Sequence, residues 1–343
     1  MVARVTIYDI AREAKVGLGT VSRVLNEAPS VSPETRKRVL DVVKRLHYQP
    51  HTYAQRLARR NSETLAAIIP FFSTYFFAEV LHGVQDRASE FGYDLVLYGV
   101  SHGDQAESYL SQALKRGKVD GVLFFSMKFP PRAVPHLRES RLPIVLVDTS
   151  LPEFDSISVA NAEGAYVAVN HLIHLGHRVI GMINALPVST PAVERLDGYR
   201  RALQDQGIPF SESLVKMGTN ARVDGFNREA GYEAMLEFTK MGENMPRAFF
   251  VSSDIQATGA ITALDEKGLR VPEDVAIVGF DDIELAAHIK LTTMRQPMYQ
   301  IGALSVERLV KRMGSPEMEI LHTTFSPTLV VRETCGALNS SRN

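Results

Sequence analysis

One cysteine and no uninterrupted apolar run of about 18 residues are the first facts that bound this 343-residue chain. Cys335 has no second cysteine with which to close an intrachain disulfide, and no stretch reads as a membrane span. No apolar export segment opens the sequence, so the expected compartment is the cytoplasm and no membrane partner is expected. The short motifs of the common enzyme classes are missing as well. There is no G-x-S-x-G elbow, no G-x-x-x-x-G-K-[ST] phosphate loop, no H-E-x-x-H metal helix and no G-x-G-x-x-G dinucleotide turn. The expectation is therefore a protein that is not an enzyme and that carries no cofactor. His171 and His174 share a helical spacing of three, yet no Cys or Glu stands near them at ligand spacing, so they read as a solvated helix face and no metal is expected.

What is present is an uneven distribution of charge. Residues 1–60 hold 12 Lys and Arg against 5 Asp and Glu, a formal +7, and the remainder holds 26 against 34, a formal −8; together they return the net −1 of the chain. A basic head on an acidic body points to a nucleic-acid-binding module joined to a part that does not share that role.

The hydrophobic spacing of the head supports this reading. Ile7, Ile10, Ala11 and Ala14 recur at three and four, one apolar face of a helix, with Thr6 as N-cap and Asp9 in its first turn. Val16 and Gly17 interrupt, and Val21, Val24 and Leu25 resume the apolar face of a second helix. Its outward positions, Leu18, Gly19, Thr20, Ser22, Arg23 and Asn26, are small or hydrogen-bonding groups suited to base edges and phosphates. Ser32 and Pro33 start a third helix that turns Val39, Val42, Val43 and Leu46 inward. A generic three-helix bundle would share this periodicity; the charge asymmetry favours DNA.

Beyond residue 61, short apolar runs alternate with amphipathic helical stretches. Leu65 to Ile69, Asp94 to Tyr98, Gly121 to Phe125 and Ile144 to Val147 form one series; Val179 to Ile183, Leu214 to Met217, Ala248 to Val251 and Val275 to Val278 form another. Such alternation predicts an α/β body of two doubly wound parallel sheets with helices on both faces. Two lobes offer a cleft at the strand ends, where small ligands bind. Phe71, Phe72, Tyr75, Phe76 and Phe77 follow the first body strand; packing accounts for most of such a cluster, and one ring could stack on a flat ligand face. The turn at Gly176, His177 and Arg178 reads as a helix C-cap followed by basic residues.

The runs V-T-I-Y-D-I-A, T-V-S-R-V-L-N, V-S-P-E-T-R and L-H-Y-Q-P-H-T-Y-A-Q-R-L-A resemble the head of a LacI/GalR-family transcriptional regulator, and the resemblance extends through nearly the whole chain. It implies a helix-turn-helix head over 1–50, a hinge helix over 51–61 and a periplasmic-binding-protein-like body over 62–343. Within the body it implies an N-lobe of 62–161 plus 292–323 and a C-lobe of 162–291 plus 324–335. It also implies a homodimeric, sequence-specific repressor on near-palindromic double-stranded operator DNA, controlled by a small effector, most simply a sugar. DNA contacts then fall to Thr6, Tyr8, Leu18, Gly19, Thr20, Ser22, Arg23 and Asn26, with His51, Tyr53, Ala54 and Leu57 in the hinge. There Leu57 would wedge into the minor groove, and a helix this short forms only when supported. Effector contacts fall to Phe76, Phe77, Arg195, Ser253 and Asp281, with Asp148 the weaker match.

The turn departs from the family pattern. Lys15 stands where a residue at ease in left-handed backbone is usual, which predicts strain, and Gly17 replaces a serine cap. Two rivals belong to this reading: control by a phosphorylated carrier protein docked near the Val80 to Arg87 helix, and, from another class, a solute-binding protein without the head's role. The C-terminal stretch has no leucine heptads, so no tetramerisation helix is expected.

Overall fold

A computed structural model of the chain describes residues 5–25, 28, 30–48, 62–70, 74–100, 103–115, 118–127, 132–140 and 142–337. Asn26, His51, Tyr53, Ala54 and Leu57, and with them the expected hinge helix, lie outside the described residues, as do Phe71 and Phe72. The chain divides into two compact units, residues 1–63 with 116–119 and residues 64–115 with 120–343.

In the first unit, helices α1 (Ile7–Ala14), α2 (Leu18–Leu25) and α3 (Pro33–Arg45) enclose one small core. Ile10, Ala14, Val21 and Val39 are fully buried, and Val43 and Leu46 close the edge of the core half-buried. The start of α1 is fixed by Thr6, whose amide and hydroxyl both donate to the Asp9 carboxylate, at 2.9 and 2.7 Å. Those bonds hold the Asp9 carboxyl below its ordinary pKa. Ser32 caps α3 by accepting the Thr35 amide at 3.4 Å, with Pro33 at the first helical position.

Lys15 takes left-handed backbone, φ 52° and ψ 47°. Its amide donates to the Arg12 carbonyl and that of Val16 to Ala11, the paired bonds of a Schellman cap, while Val16 packs against the head core. Packing of Val16 holds the lysine in a region that costs an L-residue about 1–2 kcal/mol. Lys15→Asn should therefore stabilise the head by roughly 0.5–1 kcal/mol. In the full chain, amide exchange at Val21 and Val24 should slow by about 2–5-fold; unchanged exchange would show an unstrained turn.

The second unit contains two sheets. Strands β1 (Thr64–Ile69), β2 (Asp94–Gly99), β3 (Gly121–Phe125), β4 (Ile144–Val147), β5 (Asp155–Val159) and β11 (His322–Phe325) form the first, in the order β11-β5-β4-β3-β1-β2, all parallel. Strands β6 (Ile180–Asn184), β7 (Val215–Met217), β8 (Ala248–Val251), β9 (Ala276–Asp281), β10 (Thr292–Arg295) and β12 (Thr328–Val330) form the second, in the order β12-β10-β9-β8-β6-β7. β1, β3, β4, β6 and β8 are buried along their whole length. Cover on both faces is what makes them read as unbroken apolar runs.

Two expectations need correction. The second sheet is not wholly parallel, since β12 runs antiparallel along β10. That strand is reached from the other sheet and not through a crossover helix, so no handedness rule fixes its direction. The lobe boundaries also shift. Residues 292–295 pair with β9 in the second sheet, and residues 324–325 pair with β5 in the first. Among the described residues, the chain passes between the sheets at residue 160, over 296–297 and over 326–327.

Helices α4 (Tyr75–Glu90), α5 (Gly103–Ala113), α6 (Ala133–Ser140) and α12 (Met298–Gly314) belong with the first sheet. Helices α7 (Asn161–His174), α8 (Thr190–Asp205), α9 (Arg228–Thr239), α10 (Asp254–Glu266) and α11 (Glu284–His288) belong with the second. In each sheet the strand order reverses once, beside β1 and β3 and again beside β6 and β8. Ligands of open α/β sheets lie outside the carboxyl ends of strands at such points.

Candidate functional site

α8 shows how local sequence aims a charged side chain. Arg195, Gly198 and Tyr199 fall on one helical face. A Cβ on Gly198 would stand 2.0 Å from the Ala162 carbonyl oxygen, so the helix lies flush against α7. Tyr199 is fully buried and its hydroxyl donates to the Ile180 carbonyl at 2.8 Å. With the helix so fixed, Arg195 points inward and is 5% exposed. Its Nε donates to Asn161 Oδ1 at 3.0 Å and its Nη1 to the Ser252 carbonyl, while the guanidinium carbon sits 3.8 Å above the Phe280 ring. Nη1 also stands 3.7 Å from Asp281 Oδ1, an ion pair too long to be a hydrogen bond.

Carboxylates gather around this cation from strand ends. Asp281 closes β9 and accepts from Gln296 Nε2 at 2.6 Å; Asp148 follows β4 and accepts from Ser126 Oγ at 3.0 Å. Ser126, Asp148, Asp224 and Asp281 all have positive φ without being glycine. Strain of this kind persists where the surroundings over-determine a side chain's direction, and it gathers at functional sites. Burial pushes Asp148 up to about 6, against the opposing pull of Arg195 and of the Ser126 hydroxyl. Asp281 is raised for the same reason, again against Arg195. Asp254, fully buried beneath, is raised by burial and by Asp281, even though it accepts from the Ile283 amide at 3.0 Å and Thr293 Oγ1 at 2.5 Å.

All six residues chosen from sequence for the effector, Phe76, Phe77, Asp148, Arg195, Ser253 and Asp281, line one cleft between the two lobes. Apolar and aromatic side chains with a few convergent polar groups line it, the composition of small-molecule sites. Phe77 serves two purposes: it is buried edge-on to Phe125 at 6.4 Å and also borders the cleft beside half-buried Phe76. Ser253 caps α10, accepting the Gln256 amide at 3.3 Å and donating to Gln256 Oε1 at 3.1 Å. Sequence reasoning missed Ser126, Asp224 and Phe226, which also line the cleft. Ser126 directly follows β3, as Asp148 follows β4, so strand-end position was the available signal. Asp224 lies in a single 3-10 turn, Arg222–Gly225, and Phe226 directly after it, between β7 and α9, where no apolar periodicity marks them.

A pH effect follows from Asp148. Its folded pKa of about 6 lies above its unfolded value, so the protonated form stabilises the body at acid pH, and that contribution is lost as pH rises through about 6. Asp148→Asn, which resembles the protonated acid, should leave stability near pH 4 unchanged and raise it by about 1–3 kcal/mol at pH 7.5. Thermal melts of both chains across pH 4–8 check this; equal midpoints at pH 7.5 would refute it.

On the head, Thr6, Tyr8, Leu18, Gly19 and Arg23 are exposed, and Thr20 and Ser22 are half-buried, on α1 and α2 faces away from Val21 and Val24. Arg23 folds back so that its Nε donates to the Gly19 carbonyl at 3.2 Å. His171 Nε2 lies 3.3 Å from the sulfur of buried Cys335, and His174 Nδ1 lies 2.7 Å from the Asn170 carbonyl. No group of three potential metal ligands occurs among the described residues. No helix among them is long and apolar enough to cross a membrane.

Known proteins share this arrangement. Residues 6–51 match the family of bacterial regulatory proteins, lacI family, and residues 169–335 match a periplasmic binding protein-like domain. Catabolite control protein A of Priestia megaterium is 35% identical over 92% of this chain and 94% of its own. The transcriptional regulator CelR in its cellobiose complex superposes with a TM-score of 0.72 at 32% identity, over 96% of this chain and 100% of that one. The lac repressor dimer bound to operator and the anti-inducer ONPF superposes with a TM-score of 0.82 at 27% identity, over 97% and 99%. A helix-turn-helix head joined to a two-lobed, periplasmic-binding-protein-like body defines a DNA-binding transcriptional regulator and not an enzyme. The chain belongs to the LacI family.

Proposed function

We propose that this regulator is a cytoplasmic, homodimeric repressor whose operator affinity is set by a small polyhydroxylated effector held between the lobes. The observation that carries this reading is the convergence of Arg195, Asp148 and Asp281 from separate strand ends and one helix onto a single aromatic-bordered cleft. Hydroxyl groups of a sugar ring can donate to both carboxylates while an aromatic side chain covers a ring face. A ligand that grips both lobes favours the closed body, and in a dimer closure alters the separation of the attached heads. The relatives support each part: one is a complex with cellobiose, and another is a repressor dimer on its operator. In this chain the edge strand β2 leaves Val96 and Leu97 exposed, one on each face of the sheet, apolar contacts available to a second copy.

Control by a phosphorylated carrier protein finds less support. On α4, Arg87 is already engaged by Glu90 and by Glu307, the latter at 2.9 Å, and Asp86 by Tyr299 at 3.1 Å. A phosphate docking there would have to displace these carboxylates from Arg87.

The test uses the purified chain. Selection from random duplexes should return a near-palindromic site, and one sugar of a panel should change its affinity by about 5–150-fold. Arg23→Ala should weaken that binding, lowering the salt slope by about one if Arg23 meets a phosphate, or relaxing one base preference if it meets a base. Binding that is indifferent to sequence would overturn the proposal.

A further inference from the structure

Resting on that reading of the cleft, we propose that it selects against anionic ligands: its effector is a neutral or amino-substituted polyol, and the phosphorylated or carboxylated form of the same compound is rejected. The charge census carries this. Asp148, Asp224 and Asp281 line the cleft, Asp254 lies beneath, and Arg195 is the one cation among the described lining residues.

Arg195 is also largely committed. Nε and Nη1 are given to Asn161 and Ser252, one face of the guanidinium rests on Phe280, and Asp281 balances its charge. Of the hydroxyls that border the cleft, Ser126 donates to Asp148 and Ser253 to Gln256. Two of the helix N-termini beside it, which would otherwise attract an anion, are capped by the chain's own side chains: Thr74 accepts the Phe77 amide at 3.3 Å and Ser253 that of Gln256. That of α8 starts at Ser189 without a side-chain cap, and Pro191 in its first turn removes one amide donor. An arriving phosphate therefore meets acceptors and negative charge. A hydroxyl or ammonium meets carboxylates with acceptor capacity to spare, since each ionised carboxylate has about four acceptor sites, against side-chain donors from Ser126 and Asn161 at Asp148 and from Gln296 at Asp281. Burial holds both Asp148 and Asp281 above the ordinary carboxylate range in spite of Arg195 and their hydrogen bonds.

Titration calorimetry on the full chain at pH 7.5 tests the proposal with matched sets: glucose, glucosamine and glucose 6-phosphate; ribose and ribose 5-phosphate; galactose, galactosamine and galacturonate; and cellobiose. In any set that binds, the neutral or amino member should bind at least 100-fold more tightly than its anionic counterpart. Asp148→Asn combined with Asp224→Asn should narrow that ratio by at least tenfold. A phosphate or uronate binding as tightly as its neutral parent overturns the charge selection and leaves the cleft's role as an effector site intact. No heat from any probe at millimolar concentration overturns both.

Discussion

Replacing Arg195 with methionine should leave a repressor that binds its operator but no longer responds to effector, and should lower the stability of the body by about 3–5 kcal/mol, the range for removing one partner of a buried ionic cluster. The cause is the environment of the two carboxyls. Asp281 and Asp148 are 7% and 9% exposed and their charged forms are supported by the Arg195 guanidinium. Methionine fills part of the volume and supplies neither charge nor donors. The midpoint of thermal unfolding should fall on the order of 10 °C, and by less at pH 5, where protonation relieves the unpaired carboxyls. Adding Asp281→Asn to the methionine variant should restore at least about 1 kcal/mol. A double variant no more stable than the single would show that Asp281 does not depend on Arg195. Arg195→Lys should recover little of the response, because lysine lacks both the planar fork and the flat face that rests on Phe280.

Gly302→Ala should be nearly as damaging, though it adds only one methyl group. α4 and α12 meet backbone to backbone: a Cβ at Gly302 would stand 1.9 Å from the Val80 carbonyl oxygen, and one at Gly83 would stand 2.1 Å from that of Tyr299. Backbone atoms cannot rotate away as a side chain can, so the helices must separate and open the packing of Val80, Val84, Ile301 and Val306 beneath them. A cost above about 3 kcal/mol is expected from such overpacking. Gly314→Ala is the control, because it ends the same helix with nothing within 4 Å; it should be neutral or stabilising by up to about 1 kcal/mol. Equal melting midpoints for the two variants would refute the contact.

Much of this was legible in one dimension. The spacing of Ile10, Ala14, Val21 and Val39 places the head's core, because a helix repeats every 3.6 residues wherever it packs. Strands such as β3 and β8 announce themselves as apolar runs because both of their faces are covered. β5, β10, β11 and β12 did not, since Asp155-Ser-Ile-Ser-Val and Thr292-Thr-Met-Arg carry polar side chains whose partners lie far along the chain. Asp155 is buried only because Arg308, Arg312 and the Leu321 amide reach it from more than 150 residues away. Such strands owe their place to neighbours, not to their own pattern.

By itself the sequence determined the local helices, the buried strands and the basic head, and its family resemblance pointed to the six side chains that border the cleft. Only the tertiary structure decided that these six meet, which strands end beside them, and that Asp224, Ser126 and Phe226 join them. Periodicity is a property of neighbouring residues, and convergence is a property of strand order. The second is set when sheets close over long loops, at distances along the chain where no local spacing carries information.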